Sequence, residues 1–346
     1  MLEKPHLADD AIVSCLRARY GVVASHLEFL PIGNDSAARV YRADTANGRA
    51  YFLKLRRGQA CEPGICVPRY LKDHGLEQVV APLAAAAGDL WVSLEGFTLI
   101  VYPFIDGSPG MEAGLSESQW REFGNVLRRM HASALPPPLA ALLPTETFTP
   151  RWSGLVTSLL EQTESARYPD HWQAELAVFL RGKSKEISAL VARAEALGSA
   201  LRRRPADLAL CHADAHTGNV LVSGAGGVFV VDWDSTLLAP KERDLMFVVG
   251  GVVGGCPVGP ADEAAFFEGY GATSVDWAAL AYYRHEWVVQ DIGDYGERVF
   301  LSTASGEETK RDAVEGLVSL FAPGNVVESA YEAERTLPVH QRHRGV

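Results

Sequence analysis

Hydrophobic positions change their period twice along the chain. Ile12, Val13 and Leu16 recur at helical spacing after Asp9 and Asp10, so a short first helix is expected over residues 8–20, with acid at its positive end. From Leu27 to Val101 the pattern shortens into the runs LEFLPIG, ARVYRA, AYFLKLR, VVAPL, LWVSL and FTLIVY, divided by turn signals such as Asn47-Gly48 and Glu95-Gly96. These predict a small antiparallel sheet, with one helix inserted around Pro68 to His74. Beyond Asp106-Gly107 helical stripes take over, as with Phe123, Val126, Leu127 and Met130 ahead of His131. The Pro-rich stretch 134–144 interrupts them as a surface connection. One β-like island remains, LALCHADAHTGNVLVSGAGGVFVVDWD from Leu208, which reads as strand, polar loop, strand, Gly-rich turn and strand. The expected fold class is α+β, a β-rich N-terminal lobe followed by a larger, mainly helical one.

Composition narrows the class of protein. With 346 residues, 47% hydrophobic and 22% charged, the chain can fill two real cores, and disorder as the main state is excluded. Its 32 basic against 43 acidic residues give a net charge of −11, without the basic excess that a nucleic-acid binder needs to displace counterions. A small cationic partner fits better. The five cysteines (Cys15, Cys61, Cys66, Cys211, Cys256) show no CxxC spacing, so neither a disulfide framework nor a zinc site is expected. MLEKPHLADD has no signal-peptide core, and the longest apolar runs, Phe97 to Ile105 and Met246 to Val253, fall short of a membrane span. A cytoplasmic protein with no membrane partner is expected.

The island carries the chemistry. His212-Ala213-Asp214 is followed by Asn219 in an HxDxxxxN arrangement, and Val231-Asp232-Trp233-Asp234 closes the next hairpin strand. Phosphoryl transfer needs one carboxylate to orient and deprotonate an attacking hydroxyl, and oxygen ligands to hold Mg²⁺ on the nucleotide phosphates. Asp214 suits the first task, Asn219 and Asp232 the second. His216 can serve either by bonding backbone or by meeting a phosphate.

These motifs resemble the aminoglycoside phosphotransferase family, relatives of the protein kinases, and the resemblance covers most of the chain. It implies a two-lobed, protein-kinase-like fold: a nucleotide-binding lobe over residues 1–102, a hinge over 103–107, and a catalytic and acceptor-binding lobe over 108–346. In such a fold Asp214 is the catalytic base, Asn219 and Asp232 bind Mg²⁺, and Asp244 of PKERDL ties down the catalytic loop. Lys54, in the third strand, aligns the phosphates of ATP or GTP. The hairpin with Ile32, Gly33 and Ser36 covers those phosphates, and Pro103 C=O and Ile105 N–H hold the adenine. One departure stands out. Kinase-like folds pair the lysine with a helix glutamate, yet residues 63–75 contain no Glu. Glu62 is the nearest candidate partner, with Asp73 behind it.

The resemblance implies that the C-terminal helices set the acceptor. In YYRHEWVVQDIGDYGERVF, Val288, Ile292, Tyr295 and Val299 form one apolar face, with Glu286, Gln290, Asp294 and Glu297 roughly opposite. That acidic side is either a solvated face or, with Glu286, Asp291, Asp294 and Glu297, the wall of a site for a polycationic amino sugar or aminocyclitol. The segment looks most like the spectinomycin phosphotransferase branch, with hygromycin kinases nearby. The expected function is therefore an O-phosphotransferase, monomer or homodimer, acting on such an antibiotic and conferring resistance. The rivals are a metabolic kinase of the same fold (choline, homoserine, methylthioribose or sugar) and a catalytically silent nucleotide- or drug-binding protein.

Overall fold

The computed structural model describes residues 4–33, 38–58, 60–165, 167–253, 256–303 and 305–337. The chain begins with α1 (Asp9–Cys15), β1 (Ala24–Leu30), β2 (Ala38–Thr45), β3 (Ala50–Arg57), α2 (Glu62–Asp73), β4 (Val92–Leu94), β5 (Phe97–Pro103), β6 (Gly107–Pro109) and α3 (Gly110–Ala113). Helices α4 (Glu117–His131), α5 (Pro137–Ala140), α6 (Ser153–Ser165) and α7 (His171–Leu201) follow. The island holds β7 (Ala209–Cys211), β8 (Val220–Ser223) and β9 (Val228–Val230), and β10 (Leu237–Ala239) comes next. After them run α8 (Glu242–Leu245), β11 (Val252–Val253), β12 (Cys256–Pro257), α9 (Pro260–Tyr270), α10 (Trp277–Phe300), α11 (Glu307–Ser319) and α12 (Val326–Arg335). The fold is α+β, an antiparallel sheet followed by a larger helical part.

Two compact units emerge, neither continuous in sequence. The first joins Met1–Leu115, Ala134–Leu143 and Thr217–Thr236; the second joins Ser116–Ser133, Pro144–His216 and Leu237–Val346. In the first unit an antiparallel sheet runs in the order β1-β2-β3-β5-β4. Strand alternation turns the fully buried Leu53 and Leu55 into a core with Tyr41, Ala43, Leu99 and Val101, covered by Ile12 and Leu16. Lys54 lies between them and faces the other way. The β4–β5 hairpin turns at Glu95 and Gly96, with φ of 46° and 84°, the paired left-handed conformation that tight hairpins need.

Two expectations are corrected here. VVAPL forms no strand: Val79 makes a single parallel bridge to Val230, and the Val80 and Leu83 N–H groups go to Val230 and Val101 carbonyls at 3.1 and 2.7 Å. Pro82, without an N–H, cannot extend a ladder. Helix α2 starts at Glu62 rather than near Pro68, because Pro63 falls in its first turn, where a missing N–H costs nothing. The β8–β9 hairpin pairs with β6. That pairing and the Val79 bridge tie the segment carrying Asn219 and Asp232 to the first unit.

In the second unit α4 starts on a capping box, Gln119 N–H to Ser116 Oγ at 3.4 Å and Ser116 N–H to Gln119 Oε1 at 2.8 Å. It buries Trp120, Phe123, Val126, Leu127 and Met130. Contact with α9 is close because glycines meet backbone: a Cβ at Gly124 would stand 2.1 Å from the Phe266 oxygen. The main core combines Leu176, Leu180, Ile187 and Leu190 of α7 with Val288, Val289, Ile292 and Val299 of α10, sealed by α11 and α12. Each such side chain contributes about 1.5–3 kcal/mol by leaving water. Among the described residues no helix is long and apolar enough to cross a membrane.

Candidate active site

In the first unit the site is built around Lys54. Its ammonium meets Asp232 Oδ1 at 3.0 Å and Asp234 Oδ2 at 2.9 Å, and Arg56 Nη1 reaches the same Asp234 oxygen at 3.0 Å. Burial works against a charge on Lys54, which is 9% exposed, but Asp232 and Asp234 outweigh it and hold the lysine pKa above its ordinary value. It is a permanent cation. Asp232 adopts φ 60°, a left-handed backbone that costs a non-glycine residue about 1–2 kcal/mol. The next residue fastens the turn: Trp233 C=O accepts from the Thr236 N–H at 3.1 Å and its hydroxyl at 2.7 Å.

Asn219 ends a 3₁₀ turn, and its backbone carbonyl accepts the Val231 N–H at 3.0 Å. Asn219 and Asp232 offer a neutral and a charged oxygen, and the Asp232 side chain is 48% exposed, so this donor set fits a hard divalent cation such as Mg²⁺. Ile32 is exposed and Gly33 sits at φ 94°; Ser36 lies outside the described residues. Pro103 closes β5 opposite Tyr51, and the Phe104 N–H is held by Ala50 C=O at 3.1 Å, so the chain leaves the sheet in fixed register just before Ile105. The Lys54 partner differs from expectation. Glu62 is exposed in the first turn of α2, and the carboxylates on Lys54 are those of Asp232 and Asp234.

The part of the candidate loop up to His216 belongs to the second unit, where β7 and β10 pair. Ala213 stands at φ 67°, and Asp244 holds that strained turn by accepting the His212 N–H at 3.0 Å and the Ala213 N–H at 2.7 Å. Asp244 is fully buried. His131 Nε2 lies 2.9 Å from Asp244 Oδ2, and its Nδ1 meets the Tyr270 hydroxyl at 2.7 Å. Burial disfavours the Asp244 charge, yet the His131 bond and the backbone donors hold its carboxyl below the ordinary value. The next residue is Asp214. Its Oδ1 lies 3.4 Å from His216 Nε2, and the His216 ring packs edge-on against Phe247 and Trp287 at 5.7 and 6.4 Å.

The four acids expected on α10 do not share one environment. Glu286 pairs with Arg243 at 3.1 Å, and the guanidinium lies over the rings of Tyr283 and Trp287. Asp294 pairs with Arg298 one turn on, and Glu297 is exposed. Asp291 differs: burial, then Asp294 and Asp214, push its carboxyl well above the ordinary value, and Arg298 offsets only part of this. Sequence reading passed over three residues that the geometry brings in. Asp234 was visible as the second acid of VDWD, His131 as the polar end of an apolar stripe, and Arg243 only as the residue before Asp244 in PKERDL.

Residues 28–283 match the phosphotransferase enzyme family. Spectinomycin phosphotransferase in complex with ADP and spectinomycin is similar over 96% of this chain and 100% of its own, with a TM-score of 0.85 and 33% identity. The AMP-bound complex of spectinomycin phosphotransferase gives a TM-score of 0.81, with 33% identity and coverage of 93% and 98%. Protein StrN of Streptomyces griseus is 28% identical over 289 residues, 79% of each chain. A family match over most of the chain, borne on a kinase-like fold, places this protein: it belongs to the phosphotransferase enzyme family and is a small-molecule phosphotransferase.

Proposed function

We propose that the protein transfers the γ-phosphoryl group of ATP or GTP to a hydroxyl of an aminoglycoside or aminocyclitol antibiotic of the spectinomycin type. The observation that carries this reading is the acid excess beside the catalytic aspartate. Asp291 is raised by burial, by Asp294 and by Asp214, and an amino group of the acceptor would relieve that repulsion. The 33% identical relative bound to ADP and spectinomycin supports the same acceptor class. Asp214 accepts the proton of the attacking hydroxyl and orients it, a role worth about 10²–10⁴ in rate. Lys54 aligns the donor phosphates. Asn219 and Asp232 would hold Mg²⁺, which when bound neutralises phosphate charge. A phosphate placed on a cationic drug opposes its binding to an anionic target, and resistance follows from that.

The test is ADP release from purified protein with spectinomycin, hygromycin, kanamycin, choline and homoserine, using Asp214→Ala as control. Spectinomycin should stimulate turnover, and Asp214→Ala should lower it by about 10³-fold with ADP binding retained. Turnover with choline or homoserine alone would replace this reading with a metabolic kinase of the same fold. No stimulation above the Asp214→Ala background by any acceptor would end it.

A further inference from the structure

We propose that Asp234 is the positioning carboxylate of Lys54, taking the place that a helix glutamate fills in other kinase-like folds. The inference rests on the phosphotransferase reading above. Three observations within the first unit carry it. Asp234 Oδ2 bridges two cations, Lys54 Nζ at 2.9 Å and Arg56 Nη1 at 3.0 Å. The helix that would supply a glutamate approaches through a glycine: a Cβ at Gly64 would stand 2.9 Å from both Asp234 Cα and the Trp233 oxygen, and 3.1 Å from Asp234 Oδ1. A side chain at that point would have to push the Asp234 backbone aside. The Asp234 backbone is also held in place, since its carbonyl accepts from the Cys61 thiol at 3.3 Å, at the residue that precedes α2.

The two carboxylates on Lys54 then divide the work by exposure. The Asp232 side chain is 48% exposed and the Asp234 side chain 22%. Asp232 is the one that can turn toward a cation arriving with the nucleotide, and doing so would take away one of the two acids that orient the lysine. Asp234, enclosed and clamped by Arg56, stays with Lys54. The close packing of Gly64 follows from this arrangement, because the carboxylate now comes from the turn between β9 and β10 and the helix serves as its backstop.

The double-mutant cycle that tests this measures ADP dissociation constants by calorimetry, with and without Mg²⁺, for wild type, Lys54→Met, Asp234→Asn and the double variant, each checked by thermal unfolding. Asp234→Asn should weaken MgADP binding about tenfold in the wild-type background and less than about twofold in the Lys54→Met background. Gly64→Ala, which displaces Asp234 without removing its charge, should show the same dependence on Lys54 and serves if Asp234→Asn does not fold. An equal loss in both backgrounds would overturn the assignment, pointing to a metal ligand if the loss needs Mg²⁺ and to scaffolding if it does not. No loss in the wild-type background would overturn it as well. Failure of the wild-type protein to bind ADP at all would instead overturn the phosphotransferase reading, and this inference with it.

Discussion

The acids of the two units are answered in different ways. In the first unit Asp232 and Asp234 face Lys54 and Arg56, so two carboxylates meet two built-in cations. In the second, Arg243 and Arg298 answer Glu286 and Asp294, while Asp291 is left against Asp294 and Asp214. Net charge hides this contrast. A protein at −11 that binds a polyanionic nucleotide needs local positive charge, and in the proposed reading Lys54 supplies it. Surplus acid gains a use only where the ligand is cationic, and Asp291 is the place we propose for it. Two carboxylates of the same unit sharpen the point, because the fully buried Asp244 and the half-buried Asp291 are displaced in opposite directions.

The largest effect should come from removing the carboxylate that is fully answered. Asp244→Asn keeps the size of the side chain but sets an amide N–H against a group that itself donates, the His212 N–H, the Ala213 N–H or His131 Nε2. A loss of about 2–3 kcal/mol is expected. The Ala213 turn would relax with it, and a shift of the Asp214 carboxylate by an ångström costs about 10² in kcat. The pH sign follows from the lowered carboxyl. Wild-type protein keeps this stabilisation above the ordinary value of 3.8 and loses it as pH falls through the lower folded value, whereas Asp244→Asn has none to lose. Urea unfolding at neutral pH and at pH values stepped below 3.8 measures both, and a variant as stable as wild type would remove the contrast.

Asp291→Asn should act in the opposite sense on stability and more mildly on activity. In the unfolded chain this carboxyl ionises near 3.8, while in the folded protein it holds its proton to higher pH, so wild-type stability falls as pH rises through that window. The asparagine variant escapes this. Its melting temperature should exceed that of wild type by about 2 °C at neutral pH, and the gap should close near pH 4. The acceptor KM should rise about tenfold with MgADP binding unchanged. A matching loss of MgADP affinity would show that the two charge clusters are not separate in function.

How much of this was legible in the sequence depended on how far apart the partners lie. The run AYFLKLR marked β3, and the family resemblance carried by HADAHTGN and VDWD pointed to its Lys54, so fold class and candidate loop could be read directly. The carboxylate on Lys54 could not. Asp234 lies 180 residues away, and the familiar partner, a glutamate in the following helix, drew attention to Glu62. The α10 acids show the same limit. Helical spacing sorts Glu286 and Asp294 onto one side but says nothing of Arg243, 43 residues earlier, which answers the first of them. Sequence reading also assigned the β8–β9 segment by chain order, while its pairing with β6 groups it with the first unit.

The smallest effect is the one that fixes the boundary of the acceptor cluster. Glu297 lies on α10 three residues beyond Asp294, with its side chain exposed, and its backbone carbonyl already closes the helix by accepting the Leu301 and Ser302 N–H groups at 2.9 Å each. In water a unit charge at 4 Å is worth about 1 kcal/mol, and beyond roughly 8 Å physiological salt screens most of it. Glu297→Gln should therefore change the acceptor KM by less than about twofold at physiological ionic strength, with a somewhat larger change in dilute buffer. Measured beside Asp291→Asn, it separates two kinds of attraction. A diffuse acidic face would make the two variants equal and strongly salt-dependent, whereas a local site at Asp291 leaves Glu297→Gln near wild type and makes the Asp291→Asn loss persist in high salt.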